Sequence, residues 1–152
     1  IDALCRELMP MCDLLTPNRL EAERIAGMPI RQQSDVAVVA NKILNYAPAV
    51  LIKGGHIDDE KMTDYLFFRD SSEPMTFSAH RIDTKNSHGT GCTLSSAIAA
   101  YMALGYNLTD SVDFAKKYLT NALMCGSDID IGHGHGPLNH FWDPQKLKIT
   151  NI

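Results

Sequence analysis

Residues 86–100 read NSHGTGCTLSSAIAA, a glycine-rich turn that runs directly into a helix of small and apolar residues. Glycine allows a positive φ and the close approach of another group to the backbone. The free N–H groups at a helix start, together with the positive end of the helix dipole, bind phosphate and other anions. The segment therefore predicts either an anion-binding loop or a tight turn into a packed helix. A Walker-type loop is excluded, because the chain has no GxxxxGK[ST] motif.

Cys92 stands at the start of this helix and has three interpretations. It can be a small hydrophobic residue without a chemical role. It can be a nucleophile, for which His88 is a candidate partner close in sequence. It can also be a general base, because a helix N-terminus favours a thiolate. Position alone leaves all three open.

The segments around this turn predict an α/β fold. CDLLT (12–16) and AVLIKGG (49–55) read as buried strands, and two helical segments lie between them. This alternation predicts a layered architecture with a mostly parallel sheet flanked by helices. TDYLFF (63–68) and MTFSAHRI (75–82) predict a small antiparallel part. We find no repeat, linker or internal domain boundary.

Apolar periodicity predicts which residues the helices bury and where they begin. In the helix after CDLLT, we expect Leu20, Ile25 and Ala26 to face inward. Thr109 is the expected N-cap of the last helix. The tail after that helix, rich in glycine and histidine, is expected to be a loop whose glycines give the backbone flexibility near a nucleotide.

Polar residues follow both predicted strands, where ligands of such sheets bind. Asn18 and Glu21 have the spacing of a capping box, which needs no ligand, but the pair can also hold Mg²⁺ through water. Lys53 and Gly54 follow the second strand. A lysine there can reach a phosphate as a point charge or extend along the surface into solvent.

Composition narrows the function classes. The 152 residues suffice for one core, and a formal net charge of −4 without a basic cluster disfavours a nucleic-acid partner. No apolar run is long enough to span a membrane. Four cysteines without a CxxC pair fit reduced thiols in the cytoplasm. Three tail histidines, His133, His135 and His140, lack acidic or cysteine partners at metal-ligand spacing.

Four segments occur in the order TPNRLEAERIAG, VLIKGGH, KNSHGTGCTLSSAIAAYMALG and GHGHGPLNHFW. Together they resemble the C-terminal half of bacterial hydroxymethylpyrimidine/phosphomethylpyrimidine kinases, thiamine-pathway members of the ribokinase-like superfamily. GTGC, with cysteine where most sugar-kinase relatives carry aspartate, is specific to this branch and to close pyridoxal-kinase-like relatives. The resemblance implies a three-layer ribokinase-like fold. Residues 1–152 would be the C-terminal portion of a single kinase domain whose N-terminal half is absent.

The resemblance also implies an activity and roles for the residues around Cys92. The activity is ATP-dependent phosphorylation of 4-amino-5-hydroxymethyl-2-methylpyrimidine and of its monophosphate, with Mg²⁺. Gly89, Thr90 and Gly91 would form the anion hole for the transferred phosphoryl group. Cys92 would accept the proton of the pyrimidine alcohol. The intact protein would be a homodimer that binds ATP and this small alcohol.

Further roles follow for the residues outside this turn. Asn18 and Glu21 match the motif that organises Mg²⁺ and phosphate, with Glu21 reaching the metal through water. Lys53 and Gly54 match residues near the ATP phosphates, and Lys116 in FAKKYL matches a lysine near the nucleotide. In the family, the N-terminal half supplies most of the pyrimidine pocket. We therefore expect the 152-residue chain alone to have little or no kinase activity.

Three alternatives remain open at this stage. The first is a pyridoxal or pyridoxine kinase, because GTGC-type sites accept related rings. The second is a remnant that binds nucleotide, or packs against a partner chain, without turnover. The third is a thiol hydrolase that uses Cys92 and His88.

Overall fold

The computed structural model describes residues 1–54 and 61–146 of the chain. Backbone contacts divide the chain into two compact units, Ile1–Arg81 and Ile82–Ile152. Across the described ranges, no helix combines the length and the apolar character that crossing a bilayer requires.

The first unit combines short helical turns, two α-helices and a three-stranded sheet. Its helical segments are a π-helical turn (Leu4–Leu8), a 3₁₀ turn (Met9–Met11), α1 (Arg19–Ala26) and α2 (Gln33–Ile43). Its strands, in their order across the sheet, are β1 (Ala49–Ile52), β2 (Lys61–Phe68) and β3 (Met75–His80). Helices and a sheet in one unit are what the predicted α/β class requires.

The described sheet is antiparallel, rather than mostly parallel as predicted. β1 pairs with β2, and β2 pairs with β3, both in antiparallel register. Residues 53–60 join β1 to β2, and a parallel crossover needs a dozen residues or more. Beside β1, the predicted strand CDLLT contributes one parallel bridge, between Leu15 and Val50. Pro17 has no N–H to donate, but its carbonyl accepts from the Lys53 N–H, and a second parallel bridge joins Asn18 to Lys53.

Helices α1 and α2 pack against one face of the sheet. Side chains of β1 and β2 on that face join the helices in one apolar cluster, with Val50 and Phe67 among them. The apolar residues of α2 that recur every three or four positions are buried, namely Val36, Val39, Ala40 and Ile43. In α1, however, Leu20 is 75% exposed and Ala22 is buried. Two residues turn a helix by about 200°, so both positions cannot face the core.

The second unit is built from α3 (Thr90–Ala103) and α4 (Leu108–Met124), which pack against each other. Its buried apolar residues include Leu94 and Ile98 of α3, which are four residues apart and so lie on one face of the helix. Asn107, not Thr109, caps α4, because its side chain accepts a hydrogen bond of 2.9 Å from the N–H of Asp110. Residues 125–146 form neither a helix nor a strand.

Candidate active site

The start of α3 has an uncapped N-terminus. Gly89 is the N-cap residue with φ +86°, a left-handed conformation that favours glycine, and no side chain in the described ranges caps the helix. The first N–H with a helical acceptor is that of Thr93, which donates to the Gly89 carbonyl at 2.8 Å. The N–H groups of Gly91 and Cys92 lie in the first turn and have no acceptor within the helix. This geometry matches the predicted anion-binding loop.

Thr90 stabilises the turn that precedes these amides. Its hydroxyl donates to the Ser87 carbonyl at 2.6 Å, and its N–H points to the same oxygen at 3.4 Å. Because the hydroxyl is already engaged, the side chain of Thr90 shapes the loop. The next two residues, Gly91 and Cys92, supply the backbone N–H groups that have no acceptor within the helix.

Cys92 is exposed and lies at one end of a cleft of about 900 Å³. One face of α3, from Cys92 to Leu104, forms a wall of this cleft, and Tyr118 of α4 contributes as well. Within the described part of the chain, no hydrogen bond joins the Cys92 thiol to His88. The structure therefore gives no support to a Cys–His dyad, and Cys92 is not part of the described core.

An aromatic pair that sequence reasoning missed lies in the same cleft. Tyr118 and His140 stack with ring centroids 6.4 Å apart and planes 15° apart. The Tyr118 hydroxyl is 3.4 Å from Nδ1 of His140, and its ring also contacts Trp142 at 5.8 Å. Tyr118 and His140 give this part of the cleft an aromatic lining. The pair was missed because 22 residues separate its members, and no periodic pattern links them.

Asn18 and Glu21 form a complete capping box at the start of α1. The Glu21 N–H donates to Oδ1 of Asn18 at 2.9 Å, and the Asn18 N–H donates to Oε2 of Glu21 at 2.7 Å. The capping interpretation is therefore confirmed. One carboxylate oxygen of Glu21 makes neither of these bonds, which leaves it available to a metal-bound water. Asn18 and Glu21 can therefore cap the helix while Glu21 also holds a metal-bound water.

Lys53 and Gly54 stand beside this box at the end of β1. The Lys53 N–H donates to the Pro17 carbonyl at 3.0 Å, and Lys53 forms a parallel bridge with Asn18. Gly54 has φ +58°, and its N–H donates to Oδ1 of the buried Asp64 at 2.8 Å. Asp64 is not among the residues predicted from the sequence, although an acidic residue within the apolar run of β2 is a signal. Gly55 and His56 of the KGGH motif lie outside the described residues.

The predicted site residues are distributed over both units. Asn18, Glu21, Lys53 and Gly54 lie in the first unit, and Gly89–Cys92 and Lys116 lie in the second. Lys116 is half-buried in the middle of α4. Among the described residues of α4, Tyr118 lines the Cys92 cleft and Lys116 does not. The two are about 200° apart around the helix, so they face different sides.

Comparison with known proteins identifies the family of this chain. The sequence profile of the phosphomethylpyrimidine kinases matches residues 1–139. The chain belongs to this family. The resemblance seen in the four sequence motifs is thereby confirmed.

Curated members of the phosphomethylpyrimidine kinase family are closely similar in sequence. The hydroxymethylpyrimidine/phosphomethylpyrimidine kinase of Rhizobium meliloti is 43% identical over 143 residues, which are 93% of this chain and 53% of that protein. The Escherichia coli kinase of the same name is 41% identical over the same number of residues and the same shares of both chains. The chain thus spans about half the length of the curated relatives it matches.

A solved structure confirms the fold class. The pyridoxal kinase of Staphylococcus aureus in complex with AMP-PCP and pyridoxal superposes with a TM-score of 0.82 at 27% identity. The match covers 91% of this chain and 51% of the pyridoxal kinase. The ribokinase-like α/β fold predicted from the motifs is therefore shown, again over about half of a relative.

Proposed function

We propose that this chain carries phosphoryl-transfer residues of a hydroxymethylpyrimidine/phosphomethylpyrimidine kinase. The reaction is ATP-dependent phosphorylation of 4-amino-5-hydroxymethyl-2-methylpyrimidine and of its monophosphate. The observation that carries the proposal is the uncapped start of α3, where the free amides of Gly91 and Cys92 and an exposed thiol share one helical turn. Membership of the family supports it. Because the chain spans half of its relatives, we propose that residues 1–152 are the C-terminal portion of one kinase domain.

The proposed mechanism follows from what each group at this turn can do. In the transition state, the transferred phosphoryl group carries its negative charge on three oxygens. Its transfer depends on positioning and on stabilisation of that charge. The amides of Gly91 and Cys92, held by the Gly89 turn, donate to those oxygens at the positive end of the helix dipole. The Cys92 side chain, acting as a thiolate base, accepts the proton of the alcohol while the alcohol oxygen bonds to phosphorus and the bond from phosphorus to the leaving ADP oxygen breaks. Thr90 keeps the turn in shape.

The first unit offers residues that suit Mg²⁺ and nucleotide phosphates. Mg²⁺ keeps several waters and binds proteins through one or two carboxylates, and bound Mg²⁺ neutralises phosphate charge. Glu21 fits this pattern through the oxygen that its capping bond leaves available. We assign Asn18 to orient Glu21, and Lys53 and Gly54 to the ATP phosphates. Lys116 is assigned to the nucleotide.

We further propose that the intact protein is a cytoplasmic homodimer. The four cysteines are free thiols, as expected in a reducing compartment. The dimer is an inference from the family resemblance, and size-exclusion chromatography with light scattering of the intact protein tests it.

The proposed function is tested with a chimaera in which this chain replaces the matching half of the E. coli kinase. We expect the chimaera to phosphorylate the pyrimidine alcohol with ATP and Mg²⁺, and the 152-residue chain alone to have little or no activity. Cys92→Ala should lower kcat about 100-fold or more, because a general base is lost. Cys92→Asp should retain part of the activity, since a carboxylate also accepts a proton. Cys125→Ala, at another exposed cysteine, is the matched control and should leave kcat unchanged.

Two outcomes would contradict the proposal. One is a folded, ATP-binding chimaera without transfer to the alcohol. The other is an unchanged kcat in Cys92→Ala. Activity of the isolated chain would instead overturn its expected dependence on the other half.

A pyridoxal kinase is the second candidate, and the superposition on the Staphylococcus aureus pyridoxal kinase favours it. The chimaera separates the two when kcat/KM is compared for the pyrimidine alcohol and pyridoxal. A higher value for pyridoxal would replace the pyrimidine assignment while leaving the assigned roles of Gly91 and Cys92 in place.

A further inference from the structure

Asn86 lies three residues before the Gly89 turn and is fully buried. Its side-chain Nδ2 donates to the carbonyls of Gly126 at 2.7 Å and of Ile129 at 2.6 Å, and lies 3.4 Å from the carbonyl of Ser127. An amide nitrogen has two hydrogens, so the two short bonds use both. The opposite orientation of the amide would place its oxygen against these carbonyls. The side chain of Asn86 is therefore fixed to the turn that follows α4.

The oxygen of the same side chain faces the tail. Among the described residues, Oδ1 of Asn86 has no hydrogen-bond partner, although it is buried. It lies against Gly136, where an added Cβ would be 1.9 Å from Oδ1 and 2.6 Å from Cγ. A hydrogen on Cα is all that fits, and such a contact with an oxygen is weakly attractive. Gly136 is thus required for close approach.

The backbone that follows Asn86 is attached to the same part of the tail. The His88 N–H donates to the Gly136 carbonyl at 3.1 Å, and His88 forms a parallel bridge with Pro137. Gly89, the N-cap of α3, comes next in the chain. The loop is therefore held at Asn86 and again at His88, immediately before the free amides.

We propose that Asn86 is the positioning residue of the anion-binding loop, fixing where the N–H groups of Gly91 and Cys92 point. This inference rests on the proposed function, because it assigns those amides to the transferred phosphoryl group. Asn86 itself is buried and does not touch the substrate. Its effect on the reaction is through the loop, where a displacement of about 1 Å can lower the rate about 100-fold.

The test compares Asn86→Ala, Gly136→Ala and the double variant with wild type. In the chain itself, Asn86→Ala should speed hydrogen exchange of the hydrogen-bonded amides of Ser87 and His88 about tenfold relative to those in the middle of α4. In the chimaera, it should lower kcat about 100-fold and change the KM for ATP little. Lys85→Ala is the matched control, since its side chain also joins this loop to the tail, at Asp130, but through an exposed ion pair. It should leave exchange and kcat near wild type.

The double variant separates positioning from stability. Gly136→Ala alone should raise the unfolded fraction at a fixed urea concentration about tenfold or more, because Cβ collides with a side chain that cannot move away. With Asn86→Ala the collision is removed, so stability should recover towards that of Asn86→Ala alone. In the double variant, hydrogen exchange of the loop amides and kcat should stay at the values of Asn86→Ala. A purely structural role for Asn86 predicts that kcat recovers with stability.

The outcomes distinguish this inference from the proposed function. Unchanged exchange of the Ser87 and His88 amides in Asn86→Ala overturns the positioning role, whether or not the chimaera is active. An active wild-type chimaera with an unchanged kcat in Asn86→Ala overturns it as well. A wild-type chimaera without transfer refutes the proposed function, and hydrogen exchange then decides whether Asn86 fixes the loop.

Discussion

Gly126 gives a stability prediction that depends on no functional assignment. A Cβ at this position would lie 2.9 Å from the carbonyl oxygen of Ala122 and 2.9 Å from the backbone nitrogen of Asn139. These two atoms are hydrogen-bonded to each other, because the Asn139 N–H donates to the Ala122 carbonyl at 3.1 Å. Gly126→Ala therefore inserts a methyl group against both ends of the bond that attaches the tail to α4.

The expected cost follows from these contacts. Both atoms must move by about 0.5 Å to reach ordinary van der Waals separation, and overpacking of this kind costs about 1–3 kcal/mol. Losing the hydrogen bond adds about 1 kcal/mol. We expect the free energy of unfolding to fall by about 3 kcal/mol in total, which lowers Tm by roughly 6–12 °C for a chain of this size. Urea denaturation followed by circular dichroism measures the first quantity, and a thermal melt measures the second.

Gly134→Ala is the matched control in the same tail. An added Cβ there meets nothing within 4 Å, and its backbone needs no left-handed conformation. The substitution should be neutral or slightly stabilising, by up to about 1 kcal/mol. The predicted collision is refuted if the free energy of unfolding of Gly126→Ala lies within about 0.5 kcal/mol of the wild-type value, or if Gly134→Ala lowers it as much as Gly126→Ala.

Two further predictions concern the helix caps. Glu21→Gln keeps an acceptor for the Asn18 N–H, so its free energy of unfolding should stay within about 1 kcal/mol of wild type. In the chimaera, however, the concentration of Mg²⁺ needed for AMP-PCP binding should rise. Calorimetry at increasing Mg²⁺ checks this, and an unchanged requirement would leave capping as the single role of Glu21. Hydrogen bonds from the backbone N–H groups of Arg31 and Gln32 lower the pKa of Asp35 in the folded state. Asp35 therefore contributes stability above its unfolded pKa that is lost as the pH falls through its folded pKa, so wild type should lose more stability than Asp35→Asn between about pH 5 and about pH 3. Equal losses in urea titrations at the two pH values would contradict that assignment.

Local patterns predicted the parts of the site whose geometry is local. Asn18 and Glu21 form the capping box that their spacing of three residues predicts, because both bonds lie within one helical turn. The positive φ of Gly89 and the free amides after it follow in the same way from a glycine at a helix start. Leu20 was misplaced because periodicity alone did not say whether Ala22 or Leu20 faces the sheet.

The residues that sequence reasoning missed act over long separations. Asn86 binds carbonyls 40 or more residues away, and the ring of Tyr118 meets His140 across 22 residues. Asp64 is a partner of Gly54 through the pairing of β1 with β2. No propensity or motif encodes such pairings, because each depends on two segments that the fold brings together. The antiparallel β1–β2 pairing was missed for the same reason.

Glycines in the tail after α4 can indicate either flexible backbone or close packing. The glycines of GHGHGP are expected to give flexible backbone near a nucleotide, yet one of them, Gly136, is buried and lies where a Cβ would collide with neighbouring atoms, as does Gly126 earlier in the tail. Glycine at these two positions allows close packing, and close packing restricts motion. Through Asn86, that packing extends to the loop whose amides are free. If the proposed function is correct, the tail contributes to phosphoryl transfer by holding the anion-binding loop in place, and not by moving over the nucleotide.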